Sequence, residues 1–184
     1  GDRLGVEIRE RRQIEPFDHA AGSDPLPHAD AALERDERRR VVEVGTAIGY
    51  STLWLCLGAH PRARIHYTDR SEAFCEEARV YIERAGFASK VRFHPVPDAL
   101  DALNVTPGEF DLIFNDIDKQ FYVEVLSRCI EKLRLGGLLV TDNVLWSGTV
   151  AAKPRVKEAK VIHEYNERLA TDPRMVAVIV VVVM

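Results

Sequence analysis

Short apolar runs alternate with longer amphipathic stretches along the chain from Val41 onwards. Such runs, rich in β-branched residues and bounded by turn residues, are typical of buried parallel strands, and the stretches between them have helical periodicity. This order predicts an α/β fold in which a mostly parallel sheet carries helices on both faces. A turn at Gly136-Gly137 is expected to precede the fifth strand. The predicted strands are residues 41–44, 64–68, 91–96, 111–115, 138–141 and 175–184.

The clearest helix signal lies at residues 71–85. Ser71 is a residue type that caps helix N-termini, Glu72 suits the first turn, and Gly86 stands where helices often end. Further helices are predicted after the first strand to about residue 59, at residues 121–133 and at residues 154–170.

Size and charge limit the classes of function that are expected. A chain of 184 residues favours a single domain. The net charge of −4 gives no electrostatic reason to seek nucleic acid or anionic membranes, so small molecules or proteins are the expected partners. Three isolated cysteines without CxxC spacing, and no signal-like or membrane-length apolar run, favour a cytoplasmic setting.

Glycines and an acid follow the first two predicted strands. The segment EVGTAIGYS places Gly45 and Gly49 in a strand-to-helix turn, where backbone N–H groups can face a carboxylate or phosphate. Asp69 ends the second strand, where nucleotide-binding folds hold ribose hydroxyls. The alternatives are a turn that needs glycine for steric reasons alone and an aspartate that caps a helix. The spacing Gly-x-x-x-Gly does not match the dinucleotide-binding fingerprint.

Acidic residues follow the fourth and fifth predicted strands. Asp116 and Asp118 occur in NDIDK, and Asp142 and Asn143 occur in TDNVLWSG. Because neighbouring parallel strands lie roughly 5 Å apart, Asp116, Asp142 and Asn143 can converge at one edge of the sheet. Oxygen ligands of this kind suit Mg²⁺ or another hard divalent cation. The alternative is a set of solvated loop acids.

Three further residues lie near these acids in the sequence. Lys119 can serve as a base beside a bound cation, although most surface lysines only keep a protein soluble. Tyr122 and Trp146 can wall a site for a flat aromatic substrate, or equally pack in the core. The six scattered histidines show no metal-binding spacing.

Four segments stand out together: VVEVGTAIGYST, HYTDRSEAFCEEAR, FDLIFNDIDKQFY and LRLGGLLVTDNVLWSGTV. In this order they resemble the cation-dependent O-methyltransferases that use S-adenosylmethionine, the family of the catechol and caffeoyl-coenzyme A O-methyltransferases and many bacterial relatives. The similarity covers about residues 41–175. It implies a Rossmann-like class I methyltransferase fold, with a seven-stranded, mostly parallel sheet that contains one antiparallel strand.

The resemblance assigns roles to residues at matching positions. Lys119 matches the proposed base, and Tyr122 and Trp146 are the candidates for substrate contact. Pro97 departs from the usual glycine, and Asn115 from a residue that is commonly apolar. The implied ligands of Mg²⁺, Mn²⁺ or Ca²⁺ are Asp116, Asp142 and Asn143. The implied S-adenosylmethionine-binding residues are Glu43, Gly45, Thr46, Gly49, Ser51, Asp69, Asp98, Ala99, Asp116 and Asp118.

The implied reaction is methyl transfer to a catechol-like or other vicinal-hydroxyl small molecule. Relatives are often dimers, so a homodimer is one expected assembly. Some bacterial relatives methylate hydroxyuridine in tRNA, and the arginines at residues 9–12 and 38–40 leave this alternative open. A cofactor-binding subunit without catalysis is a third hypothesis, and the presence of Asp116, Asp142, Asn143 and Lys119 argues against it.

The two ends of the chain depart from the family pattern. Residues 1–10, GDRLGVEIRE, alternate apolar and polar positions and are similar to the family's last antiparallel strand. We therefore expect circularly permuted ends or a strand exchanged between subunits, with an unrelated N-terminal hairpin as the alternative. Residues 11–40 are expected to form a linker or lid and a helix, and residues 41–184 the core that binds cofactor and metal.

Overall fold

Five parallel strands form one sheet in the order β3-β2-β1-β4-β5. This computed structural model describes residues 40–105, 107–150 and 156–180. The centre of the sheet is rich in branched apolar side chains, as expected for strands that are covered on both faces. The strands are β1 (Arg40–Val44), β2 (Arg64–Asp69), β3 (Val91–Pro95), β4 (Phe110–Asn115) and β5 (Leu133–Thr141).

Helices connect the strands, and the best-defined helix begins where the sequence predicts. The Ser71 hydroxyl accepts a hydrogen bond from the Phe74 N–H at 3.2 Å, which satisfies a free amide of the first turn. Gly86 follows the other end of this helix with φ +79°, a conformation that glycine adopts without steric cost. The helices are α1 (Tyr50–Gly58), α2 (Glu72–Arg84), α3 (Tyr122–Lys132) and α4 (Lys157–Thr171).

Two apolar cores lie on opposite faces of the sheet. Ile65 and Tyr67 of β2 pack with α1 and α2 on one face. Val42 and Ile113 pack with α3 and α4 on the other. The prediction of helices on both faces is therefore confirmed. None of the described helices combines the length and apolar character needed to cross a membrane.

Strand register brings the carboxyl ends of β1, β4 and β5 to one edge. Val44 pairs with Asn115, and Asn115 pairs with Thr141. The residues that follow these strands therefore lie side by side. This edge carries the candidate site, as expected for an open α/β sheet.

The fifth strand begins earlier than the sequence predicts. Phe110 pairs with Leu133 and Leu112 pairs with Leu138, so the four residues 134–137 lie opposite Asp111 alone. Gly136, with φ +74°, accommodates this irregularity within β5, and the predicted turn at Gly136-Gly137 is corrected accordingly.

The predicted seven strands are not all present among the described residues, and every described strand pair is parallel. Residues 175–180 form no strand, and the side chains of Val176 and Val178 are largely exposed. A strand needs a neighbouring ladder to satisfy its backbone groups. The partner that the sequence suggests for this segment, residues 1–10, lies outside the described residues, as do the expected linker and helix at residues 11–39.

Candidate active site

A cavity of about 470 Å³ opens at the carboxyl edge of the sheet. Its size is that of a small-molecule or cofactor pocket, and its walls combine carboxylates with apolar groups. The Asp118 carboxylate lies 3.7 Å from the Arg70 guanidinium in an exposed ion pair at this cavity. The lining residues include Gly45, Asp69, Phe74, Val96, Asp98, Asp116, Asp118 and Phe121.

The turn after β1 forms one side of this cavity. Gly45 has φ +82°, and a Cβ atom there would lie 2.8 Å from the Asp116 carbonyl oxygen, so only glycine fits without a shift of backbone. Thr46 is buried, and its hydroxyl donates to the Thr68 carbonyl at 3.0 Å. Gly49 has φ +85°, and its closeness to Ala78 lets α1 pack on α2. The turn is thus fixed against the ends of β2 and β4.

Glu43 is a buried carboxylic acid directly below this turn. It accepts hydrogen bonds from the hydroxyls of Ser51 and Thr52, the latter at 2.6 Å. Burial raises the pKa of Glu43 to about 7, the two hydroxyls oppose the rise, and the negative charge of Asp116 adds to it. Glu43 and Ser51 therefore support the turn from below and do not line the cavity.

Asp69 uses both carboxylate oxygens to shape the cavity. One accepts from the Ala47 N–H at 2.9 Å and the other from the Ser71 N–H at 2.8 Å. Each oxygen retains a second acceptor position. Asp69 can therefore hold the β1 turn, begin α2 and still accept hydrogen bonds from a diol.

Asp98 lies at the far side of the same cavity. It accepts from the Leu100 N–H at 2.9 Å and so caps the short 3₁₀ helix Ala99–Asn104. The structure thus places Asp98 at the site with a helix-capping role, and Ala99 begins that helix.

Lys119 links the cavity to the end of β5. Its ammonium group donates to Asp116 Oδ1 at 2.8 Å and to the Tyr122 hydroxyl at 2.7 Å. The Tyr122 hydroxyl donates in turn to the Asp142 carbonyl at 2.9 Å. Only 12% of the Lys119 side chain is exposed, so this is not the solvated surface lysine of the alternative interpretation.

Asp116 and Asp142 follow neighbouring strands and retain free acceptor capacity. Asp116 Oδ1 is bound by Lys119, and Asp142 Oδ1 accepts from the Asn143 N–H at 2.7 Å. Within the described part of the chain, no three His, Cys, Asp or Glu side chains converge to hold a metal. Two carboxylates and the Asn143 amide oxygen still offer the hard donor set that Mg²⁺ prefers, so these residues fit such an ion.

Tyr122 is fully buried, and its ring packs against Tyr165 with centroids 5.2 Å apart. This burial argues against the predicted contact between Tyr122 and substrate. The structure gives it a supporting position under Lys119 instead.

Trp146 lies where the other predicted residues meet. It lines a cavity of about 360 Å³ with Asp118 and Lys119, and a second cavity of about 490 Å³ with Asp142 and Asn143. Asn143 and Trp146 have φ values of +54° and +43°, which are rare for residues other than glycine and are found at functional sites. Asp118 also lines the cavity of about 470 Å³ described above, so the three cavities follow one another along the edge of the sheet.

A family model described as O-methyltransferase matches residues 32–183. The chain belongs to the O-methyltransferase family. Catechol O-methyltransferase of Mycobacterium tuberculosis is 40% identical over 118 residues, which cover 64% of this chain and 53% of that protein. Caffeoyl-CoA O-methyltransferase 1 of Arabidopsis thaliana is 33% identical over 182 residues, which cover 92% and 70%.

The structure of an O-methyltransferase from Bacillus cereus in complex with SAH matches with a TM-score of 0.67 and 30% identity, covering 82% of this chain and 72% of that one. This match shows that the chain has the Rossmann-like methyltransferase fold. The chain spans about half the length of the mycobacterial relative.

The sequence alone did not indicate three residues of the candidate site in this chain. Phe74 and Phe121 line the cofactor-sized cavity, and Thr52 holds Glu43. Aromatic and hydroxyl residues at helical positions do not differ from packing residues in sequence alone. The one available signal was their closeness to the strand ends that carry Asp69 and Asp116.

Proposed function

We propose that this chain transfers the methyl group of S-adenosylmethionine to a hydroxyl of a catechol-like or other vicinal-hydroxyl small molecule, with a divalent cation. The observation that carries this proposal is the Lys119 ammonium, held by Asp116 and Tyr122 where the cofactor-sized cavity meets the cavities lined by Trp146. Relatives named catechol and caffeoyl-CoA O-methyltransferases support a hydroxylated aromatic acceptor.

The cofactor-sized cavity supplies groups for each part of an adenosyl ligand. Asp69 accepts hydrogen bonds from ribose hydroxyls, while Phe74 and Val96 offer apolar surface. Bound S-adenosylmethionine supplies a methyl group that its sulfonium charge makes electrophilic. The SAH complex of the Bacillus cereus relative supports this choice of cofactor.

The acceptor is expected beside Trp146, whose ring offers a flat apolar wall. Lys119 is the proposed base for the reacting hydroxyl, and Tyr122 and Asp116 keep its nitrogen in place. Asp116, Asp142 and Asn143 are the residues that would hold a divalent cation. Such a cation, when bound, lowers the pKa of a coordinated hydroxyl and orients it.

Methyl transfer from labelled cofactor tests the proposal. The acceptors are a panel of catechols, flavonoids, coenzyme A esters and tRNA, each with Mg²⁺ or with EDTA. We expect label on a catechol-type acceptor, its loss in EDTA and its return with excess Mg²⁺. Asp142→Asn should lose activity, while Asp101→Asn, on the exposed side of the 3₁₀ helix, should keep it.

Three results would contradict the proposal in different ways. Full activity in chelator would remove the cation from the reaction. Label on tRNA alone would replace the acceptor class. Binding of SAH without transfer to any acceptor would favour a subunit that binds cofactor and does not catalyse.

A further inference from the structure

Asn115 is a fully buried amide at the end of β4. Neither its Oδ1 nor its Nδ2 atom has a hydrogen-bond partner among the described residues. An unpaired amide in a protein interior is costly, and such groups are rare in native structures. Its position therefore requires an explanation.

The backbone of Asn115 joins the two acidic strand ends. It directly precedes Asp116, and its carbonyl accepts from the Asp142 N–H at 3.1 Å. Its neighbours in register are Val44 and Thr141. The side chain of Asn115 thus lies in the protein interior, one residue before the Asp116 that binds Lys119.

Polar groups are present on the same side of the sheet. The hydroxyls of Thr141 and Tyr165 lie 2.6 Å apart, and Tyr165 is buried. Burial raises the pKa of Tyr165 to about 12, while the hydrogen bond with Thr141 opposes the rise. Asn115 pairs in register with Thr141, so its amide lies beside these two hydroxyls but makes a direct hydrogen bond to neither.

Tyr122 connects these polar groups to Lys119. The rings of Tyr165 and Tyr122 are in contact, and the Tyr122 hydroxyl joins Lys119 to the Asp142 carbonyl. Tyr165 therefore packs directly against the residue that holds the Lys119 nitrogen.

We propose that Asn115 binds one internal water molecule together with the hydroxyls of Tyr165 and Thr141, and that this polar layer positions Tyr122 under Lys119. A buried water molecule needs two to four polar partners, and these three side chains provide them. The water site stands on geometry alone, whereas the positioning role rests on the proposed function of Lys119.

A high-resolution crystal structure of the wild-type chain tests the water site. We expect an ordered water within about 3.2 Å of the Asn115 amide and of at least one of the two hydroxyls. A direct hydrogen bond between Asn115 and Tyr165 with no water, or a dry contact, would overturn the inference. This readout needs no activity, so it remains decisive even if the chain transfers no methyl group.

Kinetics test the positioning role. Asn115→Leu keeps the branched shape of the side chain but removes the amide, and we expect kcat to fall about tenfold with the cofactor KM unchanged. Tyr165→Phe should give a similar fall, and the double variant should fall little further, because both disrupt one layer. Ile113→Val, on the same face of β4 but outside the layer, should lower Tm alone.

If Asn115→Leu does not fold, Tyr165→Phe measures the same quantity. An unchanged kcat in a folded variant of either kind, with active wild-type protein, would reduce the layer to a structural role. An inactive wild-type protein would instead contradict the proposed function and leave the crystallographic test in force.

Discussion

Lys119 Nζ lies 2.8 Å from Asp116 Oδ1, although the two side chains belong to different cavities at the edge of the sheet. The ion pair places an amine beside the carboxylate that is expected to contact both metal and cofactor. The Tyr122 hydroxyl supports the same nitrogen from below. This relationship gives Lys119 a defined position, which a base requires and a solvated lysine lacks.

Replacement of Lys119, the proposed base, should affect turnover and spare cofactor binding. For Lys119→Met we expect kcat to fall by about 10²-fold or more, as for other general bases. Calorimetry with SAH should give a Kd within about twofold of wild type, a difference of less than 0.5 kcal/mol. Lys160→Met, on the exposed side of α4, is the matched control. Equal turnover in both variants would indicate that Lys119 is a surface lysine with no role in catalysis.

Removal of the Asp69 carboxylate should weaken the cofactor complex. Asp69→Ala deletes a charged acceptor that also holds the Ala47 N–H, so we expect SAH affinity to fall about tenfold or more. Asp101→Ala, an exposed aspartate outside the cavity, controls for the loss of one negative charge. An affinity unchanged by Asp69→Ala would argue against a ribose-binding role.

Glu43 should make folding stability fall as pH rises. Its pKa is raised from 4.5 to about 7 in the native state, so between these values the native protein binds more protons than the unfolded chain. The contribution to the free energy of unfolding is present below pH 4.5 and is lost towards pH 7, by roughly 3 kcal/mol. In urea unfolding from pH 5 to pH 8, the stability of wild type should fall by this amount relative to that of Glu43→Gln. Parallel pH profiles for these two proteins would contradict the assignment, and Glu83→Gln should behave as wild type.

His66 should make folding stability fall as the pH decreases below 6.5. Its ring nitrogen lies 3.0 Å from that of His94, and burial, His94 and nearby arginines lower the pKa of His66 to about 4. The unfolded chain therefore binds more protons between pH 6.5 and pH 4, and stability is lost as pH falls through this window. His66→Leu should flatten that decline in thermal unfolding. The half-exposed His163→Gln should retain it, and wild-type and His66→Leu profiles that run parallel over this window would rule out the effect.

Local patterns were enough to predict most of the secondary structure. Ser71 predicted the start of α2 because a cap acts on amides only two or three residues away, and β-branched runs predicted the central strands. The segment at residues 175–180 differs because a strand requires a partner, which no local pattern specifies. The irregular start of β5 depends on its register against β4 for the same reason.

The sequence by itself determined the order of strands and helices, the family resemblance and the placement of Gly45, Asp69, Asp116 and Asp142 at strand ends. The order of the elements and the placement of these residues follow from side-chain periodicity and from the rule that parallel strands end at one edge, while the resemblance rests on four sequence segments. Only the tertiary structure decided that Tyr122 is buried under Lys119, that Glu43 is held by Ser51 and Thr52, and that Asn115 lies in the interior with no hydrogen-bond partner in the part of the chain that the structure describes. Hydrogen-bond partners and burial depend on how distant segments pack, because the free energy of a polar group is set by the neighbours that replace its water.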